Sequence, residues 1–318
     1  MIKRIGVLTS GGDAPGMNAA IRAVTRAAIA KGLEVFGIHD GYLGMYENRI
    51  ERLYRKSVSE KMRIGGTFLG TARLKEFDRK EVRQMALDNL HKYQIDGLVV
   101  IGGDGSYRGG LDLSNMGMAV VGVPGTIDND IGGTDYTIGF DTAINTAVDA
   151  VDKLRDTSNS HRRCSIIEVM GRNCGDIAIW TAMAVGAEVC ICKEFGIDLQ
   201  EVIDNVRKAA QSKRHAIIVV AENMVSVEEL ARQVTENTPF EARATVLGHI
   251  QRGGSPTVRD RVYASMMGVK AVAALIEGKS HHCVCYRKGK IAVIPIEEAL
   301  IDNNTDLLEK YEIFKLLW

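Results

Sequence analysis

The sequence has no excess of charge of either sign, because 40 Lys and Arg residues balance 40 Asp and Glu residues. A neutral chain creates no global field that would attract nucleic acid or an anionic membrane surface. It also lacks an apolar run of the roughly 18 residues that a membrane-spanning helix requires, and its N-terminus does not have the pattern of a signal peptide. We therefore predict a cytoplasmic protein that binds neither nucleic acid nor membranes, and that holds anionic ligands with local clusters of arginine.

The cysteines lack the spacing of a metal site, since no Cys-x-x-Cys pair occurs among the six. Unpaired cysteine is among the residue types most often buried. We therefore predict reduced, buried thiols in strands. The residues concerned are Cys164, Cys174, Cys190, Cys192, Cys283 and Cys285.

The chain contains no low-complexity tract and no Pro- or Ser-rich linker, although 318 residues are enough for about two domains. Short apolar strands alternate with helical segments, a pattern typical of parallel sheets covered on both faces. The pattern occurs in two series, and the second begins near residue 140. We predict an α/β fold of two doubly wound, Rossmann-like lobes with mainly parallel sheets and a cleft between them. The predicted strands cover residues 3–9, 33–38, 96–101, 119–123, 165–169, 188–192, 216–221 and 243–247, with a hairpin over 283–294.

Glycine-rich loops follow two strands of the first series, and ligands of open α/β sheets bind at such strand ends. In residues 9–18, glycines and a helix N-terminus suit a phosphate group, although no Walker sequence follows. In the turn 102–106, Asp104 either binds Mg²⁺ together with phosphate oxygens or caps the next helix. We favour the metal.

A third loop carries two carboxylates, Asp128 and Asp130, after a strand predicted to end at Pro124. If the loop is extended, both side chains project to one side, where like charges repel unless a metal ion or a proton lies between them. One carboxylate can face Mg²⁺ while the other accepts a proton from an attacking hydroxyl, as phosphoryl transfer requires. A solvated acidic loop is the alternative. We expect Asp104, Asp128 and Asp130 to converge around one magnesium ion in the first lobe.

Positively charged residues occur in or beside the loops that follow strands of the second series. Arg172 lies in the loop 170–176, where a guanidinium can neutralise charge on a transferring phosphoryl group. Polar side chains that suit a phosphate dianion cluster around a glycine turn over residues 247–256. The set is Arg243, His249, Gln251 and Arg252.

Other basic residues are less informative from spacing alone. Arg22 and Arg26 lie one helical turn apart and share a face. More positive charge is contributed by Arg162, Arg163, Lys213, Arg214 and His215. Solvated helix faces explain such groups unless a second anion site is supported independently.

In order and spacing, these loops resemble one family. The chain is similar over essentially its full length to the bacterial ATP-dependent 6-phosphofructokinases. The segments that carry the resemblance are GVLTSGGDAPGMN (6–18), GGDGSY (102–107), PGTIDND (124–130), MGR (170–172) and GHIQRGG (248–254).

The resemblance implies transfer of the γ-phosphate of ATP to the 1-hydroxyl of fructose 6-phosphate, the committed step of glycolysis, with Mg²⁺ as cofactor. Asp128 would be the base and Thr126 would lie beside the transferring group, which Arg172 stabilises. Asp104 would hold the metal ion, and Asp130 would act through its water shell. The implied ATP-binding residues are Gly12, Arg73, Leu74, Gly103, Asp104, Gly105 and Ser106. The implied sugar-phosphate residues are Thr126, Ile127, Asp128, Arg163, Met170, Gly171, Arg172, Glu222, Arg243, His249, Ile250, Gln251 and Arg252.

The resemblance also implies a larger ATP-binding lobe, residues 1–138 and about 251–303, and a smaller fructose 6-phosphate-binding lobe, residues 139–250 and about 304–318. It implies a homotetramer in which Arg163 and Arg243 serve a neighbouring subunit. An effector site would take ADP as activator or phosphoenolpyruvate as inhibitor, with Glu188 meeting ADP through its Mg²⁺. The implied effector residues are Arg22, Arg26, Arg55, Arg155, Gly186, Ala187, Glu188, Lys213, Arg214 and His215.

Two glycines favour ATP over pyrophosphate as the donor. Pyrophosphate-dependent relatives commonly carry an Asp directly after the magnesium Asp, and a Lys before the Thr-Ile-Asp-Asn-Asp run. Here Gly105 leaves space for the rest of the nucleotide, and Gly125 lacks the ammonium that would bind a small pyrophosphate. A pyrophosphate-dependent phosphofructokinase remains the alternative.

Other classes of protein explain less of the sequence. NAD and lipid kinases share a Gly-Gly-Asp-Gly turn but not the paired aspartates, and an NAD-binding oxidoreductase would carry Gly-x-Gly-x-x-Gly after the first strand. An inactive sugar-phosphate sensor would be expected to have lost one of the three acids. The chain departs from the family pattern at Ile64, at Leu74-Lys75 and at Asn173-Cys174.

Overall fold

A computed structural model describes residues 2–301 and 305–318. Strands and helices are numbered in chain order. The strands are β1 (Arg4–Thr9), β2 (Glu34–Ile38), β3 (Ile50–Leu53), β4 (Gly97–Gly102), β5 (Ala119–Thr126), β6 (Ile138–Gly139), β7 (Arg163–Val169), β8 (Val189–Ile191), β9 (Ala216–Ala221), β10 (Glu241–Val246), β11 (His282–Arg287) and β12 (Lys290–Pro295). The α-helices are α1 (Met17–Ala30), α2 (Gly41–Tyr46), α3 (Lys80–Lys92), α4 (Asp104–Asn115), α5 (Phe140–His161), α6 (Asp176–Val185), α7 (Leu199–Ser212), α8 (Val227–Asn237), α9 (Val258–Ile276), α10 (Ile296–Ala299) and α11 (Thr305–Leu317). Short 3₁₀ helices cover Lys75–Asp78 and Gly248–Arg252.

The chain forms two compact units. The first unit contains Met1–Thr142 and Arg252–Asn303, and the second contains Ala143–Gln251 and Asn304–Trp318. The chain therefore changes unit at 142/143, at 251/252 and at 303/304.

The first unit is built on a mainly parallel sheet with the strand order β12-β11-β5-β4-β1-β2-β3. The outer pairs β2/β3 and β11/β12 are antiparallel, and β6 pairs with the end of β5. All six residues of β4 are buried, as expected for a central strand covered on both faces. Helices α1 and α9 pack closely because Gly268 has no side chain: a methyl group there would lie 2.9 Å from the carbonyl oxygen of Ala20.

The second unit contains a wholly parallel sheet with the strand order β10-β7-β9-β8. Two of its helices begin at side-chain caps, since Asp198 accepts two backbone N–H groups of α7 and Ser226 accepts one of α8. Both helices are amphipathic and contribute Val206 and Leu230 to the core of this unit, beside Ile218 of β9.

These observations confirm the predicted α/β fold class with mainly parallel sheets. The cysteine prediction is partly wrong. All six cysteines are buried, but Cys174 and Cys192 lie outside the strands. None of the described helices is both long and apolar enough to cross a bilayer.

Two predicted boundaries are wrong. Strand β5 does not end at Pro124 but continues to Thr126, because β6 pairs with Gly125 and Thr126 after the proline. Helix α4 begins at Asp104, so the second half of the predicted turn 102–106 is already helical. No element is predicted from the sequence between residues 41 and 92, and the structure contains α2, β3 and α3 there.

Candidate functional site

Three of the predicted loops meet at one edge of the first sheet. Because β1, β4 and β5 are adjacent and parallel, their carboxyl ends share that edge, with Thr9 opposite Ile101 and Gly102 opposite Pro124. A methyl group on Gly102 would lie 2.5 Å from the carbonyl oxygen of Ser10, and one on Gly103 would lie 3.6 Å from Cβ of Thr126. The loops that follow the three strands are thus in direct contact.

Asp104 occupies the first turn of α4 and does not cap that helix. The N-cap residue is Gly103, and no side chain caps the helix. The carboxylate of Asp104 instead accepts from Nε and Nη2 of Arg108, both at 3.1 Å. It is about one-third exposed, with a side-chain accessibility of 34%. The carboxylate is therefore accessible at the strand edge and is bound by a neighbour on its own helix.

A buried hydroxyl marks the same turn. Ser106 is 3% exposed, and its Oγ has no hydrogen-bond partner among the described residues. A buried hydroxyl without a partner is costly, so a ligand oxygen at this turn would satisfy it. Gly12 and Gly105 beside it are exposed, and a methyl group on Gly105 would meet no atom within 4 Å from the described residues beyond its own helix turn.

The loop after β5 is bent rather than extended. Asn129 has a φ of 54°, in the left-handed region, so the expectation that Asp128 and Asp130 project to one side of an extended chain is wrong. The backbone N–H of Asp128 donates to Oγ1 of Thr126 at 3.2 Å, and Asp128 is 8% exposed. Ile127 is also buried, at 2% exposure, which removes its side chain from any ligand surface.

Thr137 closes this loop from the other side. Its backbone N–H donates to Oδ1 of Asn129 at 3.0 Å, and its hydroxyl donates to the carbonyl oxygen of Thr126 at 2.7 Å. The residues on either side of Asp128 are thus both bound to one threonine. Asn is well suited to position 129, because it tolerates the left-handed conformation better than most residues.

No three Asp, Glu, His or Cys side chains of the described chain lie close enough together to hold a metal ion. Asp104, Asp128 and Asp130 are therefore not a set of direct ligands to one ion among the described residues, and their expected arrangement around Mg²⁺, with Asp130 acting through the water shell, stays a prediction. Mg²⁺ needs only one or two protein carboxylates when phosphate oxygens and water complete its shell. Asp104, together with the unsatisfied Ser106, fits that requirement.

A second turn, after β7, lies in the second unit. Gly171 and Arg172 both have positive φ, at 144° and 58°. Glu222 accepts their backbone N–H groups at 3.2 and 2.7 Å, and Gln251 accepts that of Met170 at 2.8 Å. The turn is thereby fixed while the Arg172 side chain stays exposed.

The two arginines assigned to a sugar phosphate share one carboxylate in this structure. Nε of Arg163 donates to Glu241 at 2.9 Å, and Arg243 donates to the other oxygen of the same residue. The hydrogen bond from Arg163 lowers the pKa of Glu241 below its ordinary value. His249 and Ile250 are exposed.

Arg252 lies in the first unit, beside the glycine loop. A methyl group on Gly12 would lie 3.2 Å from Cζ of Arg252. The sequence had grouped Arg252 with His249, whereas the structure places its guanidinium against the loop assigned to ATP. Of the other ATP residues, Arg73 is exposed, and Leu74 packs partly into the core of the first unit.

Residues 4–275 match the sequence model of the family described as phosphofructokinase. The chain belongs to the phosphofructokinase family. It is 57% identical over 301 residues, 94% of each chain, to the ATP-dependent 6-phosphofructokinase of Vibrio parahaemolyticus. It is 53% identical over 320 residues, with both chains fully covered, to that of Tolumonas auensis.

Solved structures support the same family. The phosphofructokinase of Pichia pastoris in the T-state superposes with a TM-score of 0.90 at 33% identity, covering the whole of this chain but 39% of that one. The yeast Saccharomyces cerevisiae enzyme gives a TM-score of 0.89 at 32% identity, and this chain spans half of its length. A pyrophosphate-dependent phosphofructokinase from Marinobacter aquaeolei gives 0.85 at 19% identity, which shows a shared fold only.

Three of the residues that the phosphofructokinase resemblance assigned to effectors lie together in the second unit, namely Glu188, Lys213 and His215. Glu188 is 1% exposed, and its carboxylate accepts from Lys213 Nζ at 2.7 Å and from the backbone N–H of Ile217 at 2.5 Å. Burial lowers the pKa of His215, Arg155 and Lys213 act in the same direction, and Glu188 opposes them. Because the Glu188 carboxylate is buried and already bound, a contact through it with the Mg²⁺ of ADP would require these bonds to break.

The remaining effector residues are more dispersed. Arg155 donates to the carbonyl oxygen of Val185, at the end of α6, and Gly186 ends that helix with a φ of 61°. Ala187 is buried and Arg214 is exposed. In the first unit, Arg22 and Arg26 are half-buried on α1, and Arg55 is exposed in the turn after β3.

Sequence reasoning assigned no role to Glu241, Thr137 and Asp260. Glu241 could have been found, since it stands two residues before Arg243 in a strand and so shares its face. The spacing of Thr257 and Asp260 matches a capping box, which marks the start of α9 but not the partners of the carboxylate.

Proposed function

We propose that this chain phosphorylates the 1-hydroxyl of fructose 6-phosphate with ATP, giving fructose 1,6-bisphosphate and ADP. The observation that carries the proposal is the contact between the turn of Asp104 and Ser106 and the loop of Thr126 and Asp128 at adjacent strand ends. One loop offers an accessible carboxylate and an unsatisfied hydroxyl to phosphate and metal. The other offers a largely buried carboxylate to an acceptor.

In this mechanism Asp128 accepts the proton of the 1-hydroxyl as its oxygen forms a bond to the γ-phosphorus. The bond between that phosphorus and the bridging oxygen breaks, and ADP leaves. Thr126 lies beside the transferring group, and the Arg172 guanidinium balances the charge that develops on it. Asp104 would hold Mg²⁺, which when bound neutralises the charge of the phosphate oxygens.

The sugar phosphate would be oriented by the turn of Met170 and Gly171, which Glu222 fixes. Its 6-phosphate would be held by His249 together with Arg163 and Arg243, the last two reaching from a neighbouring subunit of a homotetramer. In this structure both arginines are bound to Glu241, so a phosphate would have to compete with that carboxylate.

ATP rather than pyrophosphate is supported as the donor at two positions. Open space surrounds Gly105, which leaves room for the α-phosphate and nucleoside. Gly125 is buried, and a methyl group there would already lie 3.0 Å from Ile101, so a lysine cannot be added without rearrangement. The relatives at 53–57% identity carry the name ATP-dependent.

The regulatory part of the proposal rests on Lys213 and the two residues that lie near it, Glu188 and His215. We expect ADP to activate and phosphoenolpyruvate to inhibit, with Arg22, Arg26, Arg55 and Arg155 supplying further positive charge. A glycolytic role in the cytoplasm follows from the reaction.

A coupled assay of fructose 1,6-bisphosphate formation tests the proposal, with ATP and pyrophosphate compared at equal concentration. We expect activity with ATP that requires Mg²⁺ and is lost in Asp128→Asn. Activity with pyrophosphate alone would overturn the donor assignment, and activity with neither donor would overturn the proposed function. Repeating the assay with ADP and with phosphoenolpyruvate tests the regulatory part separately.

A further inference from the structure

In the first unit, a buried carboxylate binds residues 136–142, which follow the loop that carries Asp128. Asp260, in the first turn of α9, has no exposed surface. Oδ1 accepts the backbone N–H of Gly139 at 2.6 Å and the hydroxyl of Tyr136. Oδ2 accepts the backbone N–H of Thr142 at 2.9 Å and its hydroxyl at 2.5 Å. Four donors from residues 136–142 therefore converge on one side chain.

Helix α9 does not need these hydrogen bonds to Asp260 in order to cap its N-terminus. The start of α9 is capped by Thr257, whose hydroxyl accepts the backbone N–H of Asp260 at 3.3 Å. A carboxylate in the first turn is favourable for a helix without being buried, and burying one is costly unless its oxygens are fully bound. The four donors from residues 136–142 offset that cost, and capping of the helix does not require them.

The bound residues flank Thr137, the threonine that binds Thr126, two residues before Asp128, and Asn129, the residue after it. Tyr136 precedes Thr137 and Gly139 follows it by two residues, so Asp260 holds the chain on both sides. Thr137 in turn binds the side chain of Asn129 and the carbonyl oxygen of Thr126. A continuous set of hydrogen bonds therefore leads from α9 to the residues on either side of the proposed base.

We propose that Asp260 is a positioning residue for phosphoryl transfer: by clamping residues 136–142 it holds Thr137, and through Thr137 it fixes the geometry of the Thr126–Asp128 turn. The proposal rests on the proposed function of Asp128. Asp260 itself touches no reacting atom, so its loss lowers the rate of the chemical step and leaves substrate binding largely intact.

The test compares kcat and KM for Asp260→Asn, Tyr136→Phe and a control, Asn89→Ala. Asn89 is also buried in the first unit and donates to Met45 and Tyr46, away from this loop. Since small misplacements of reacting groups are costly, we expect kcat to fall by about 10-fold to 100-fold in Asp260→Asn and by about 3-fold or more in Tyr136→Phe. KM values should stay within about 2-fold, and Asn89→Ala should lose thermal stability without losing kcat.

Amide hydrogen exchange gives a second readout that does not depend on substrate. The backbone N–H groups of Gly139 and Thr142 should exchange faster in Asp260→Asn and in Tyr136→Phe than in the wild type. The control Asn89→Ala should show no such change at these positions. If the wild-type protein has no activity, the proposed function fails. If the wild-type protein is active but Asp260→Asn and Tyr136→Phe keep its kcat, the positioning role of Asp260 alone is overturned. Should Asp260→Asn not fold, Tyr136→Phe decides, because it removes one donor and leaves the carboxylate with its other partners.

Discussion

The carboxylate of Glu222 lies 2.7 Å from the backbone nitrogen of Arg172 and accepts its N–H. Arg172 has a φ of 58°, a conformation that costs an L-residue roughly 1–2 kcal/mol. A hydrogen bond to a charged acceptor contributes about 1.5–3 kcal/mol, so Glu222 offsets the strain of the turn. Glu222 therefore determines the direction in which the Arg172 guanidinium leaves the backbone.

The first prediction is that Glu222→Ala lowers kcat/KM for fructose 6-phosphate by about 10-fold to 100-fold, the scale for a displaced positioning group. The variant leaves the N–H groups of Gly171 and Arg172 unpaired, whereas Glu222→Gln keeps an acceptor and should lose less. Steady-state kinetics with each substrate varied in turn measures the effect. Glu229→Ala, on the exposed face of α8, is the control. Equal kinetics in Glu222→Ala and wild type would show that the turn does not need this carboxylate.

The second prediction concerns the base. Asp128→Asn should lower kcat by about 10²–10⁴, the range for loss of a general base. KM for the sugar phosphate should change little, because the turn at Met170–Arg172 lies in the other unit and is untouched. Asp112→Asn, which removes a carboxylate bound to Arg83 elsewhere in the first unit, serves as the comparison. Retention of full turnover by Asp128→Asn would refute the assignment.

The third prediction concerns Gly105 in the proposed ATP site. It distinguishes the effect of a side chain's charge at this position from the effect of its size. A side chain fits at Gly105, since a methyl group there meets no atom within 4 Å. Gly105→Ala should therefore keep most activity with ATP. Gly105→Asp places a carboxylate where the α-phosphate is proposed to lie, and should raise KM for ATP by about 10-fold or more, equivalent to about 1.4 kcal/mol. Initial rates at varied ATP measure both, and similar KM values for the two variants would argue against nucleotide binding here.

The sequence predicted well those features that depend on local patterns. Strands β1, β4 and β9 are short apolar runs buried on both faces, so hydrophobic periodicity alone located them. Ligand-binding loops of open α/β sheets lie at the carboxyl ends of the strands, so the proximity of the Gly102–Gly103 turn to Thr126 agrees with the prediction that the site lies there.

Features set by distant partners could not be predicted. The four donors to Asp260 lie 118 to 124 residues away along the chain, and no local pattern encodes that distance. The bend at Asn129 depends on Thr137, whose role appears only once the loop has closed. Strand β5 passes Pro124 because β6 supplies new pairing, which outweighs the usual effect of proline on a strand.

The fourth prediction concerns the buried pair of Glu188 and Lys213. Lys213→Met leaves a carboxylate of 1% exposure without its cation, and breaking a buried pair by removing one partner costs about 3–5 kcal/mol. Because Lys213 is itself partly exposed, we expect the lower part of that range. Urea unfolding measures the loss. The double variant Lys213→Met/Glu188→Gln should recover part of it, and a double variant no more stable than Lys213→Met would contradict a direct coupling.

The last prediction uses the pH dependence of stability. Partial burial, and then the nearby Glu222 and Glu228, raise the pKa of Glu168 above its ordinary value. A carboxylate whose pKa is raised on folding destabilises the fold when ionised, and this cost disappears as the pH falls through the raised pKa towards the ordinary value. Glu168→Gln should therefore increase the free energy of unfolding at pH 7.5, and the increase should shrink at pH 5 and vanish near pH 4.

Glu229 provides a control of opposite sign. Hydrogen bonds from Arg232 and Gln233 lower its pKa to about 2, so its ionised form stabilises the fold above the ordinary pKa and the contribution is lost as the pH falls towards 2. Glu229→Gln should accordingly lose stability at pH 7.5 and approach wild type only in strong acid. Urea unfolding of the three proteins across this pH range checks both signs. A Glu168→Gln variant that is less stable than wild type at pH 7.5 would mean that the carboxylate makes favourable contacts which outweigh its burial and its acidic neighbours.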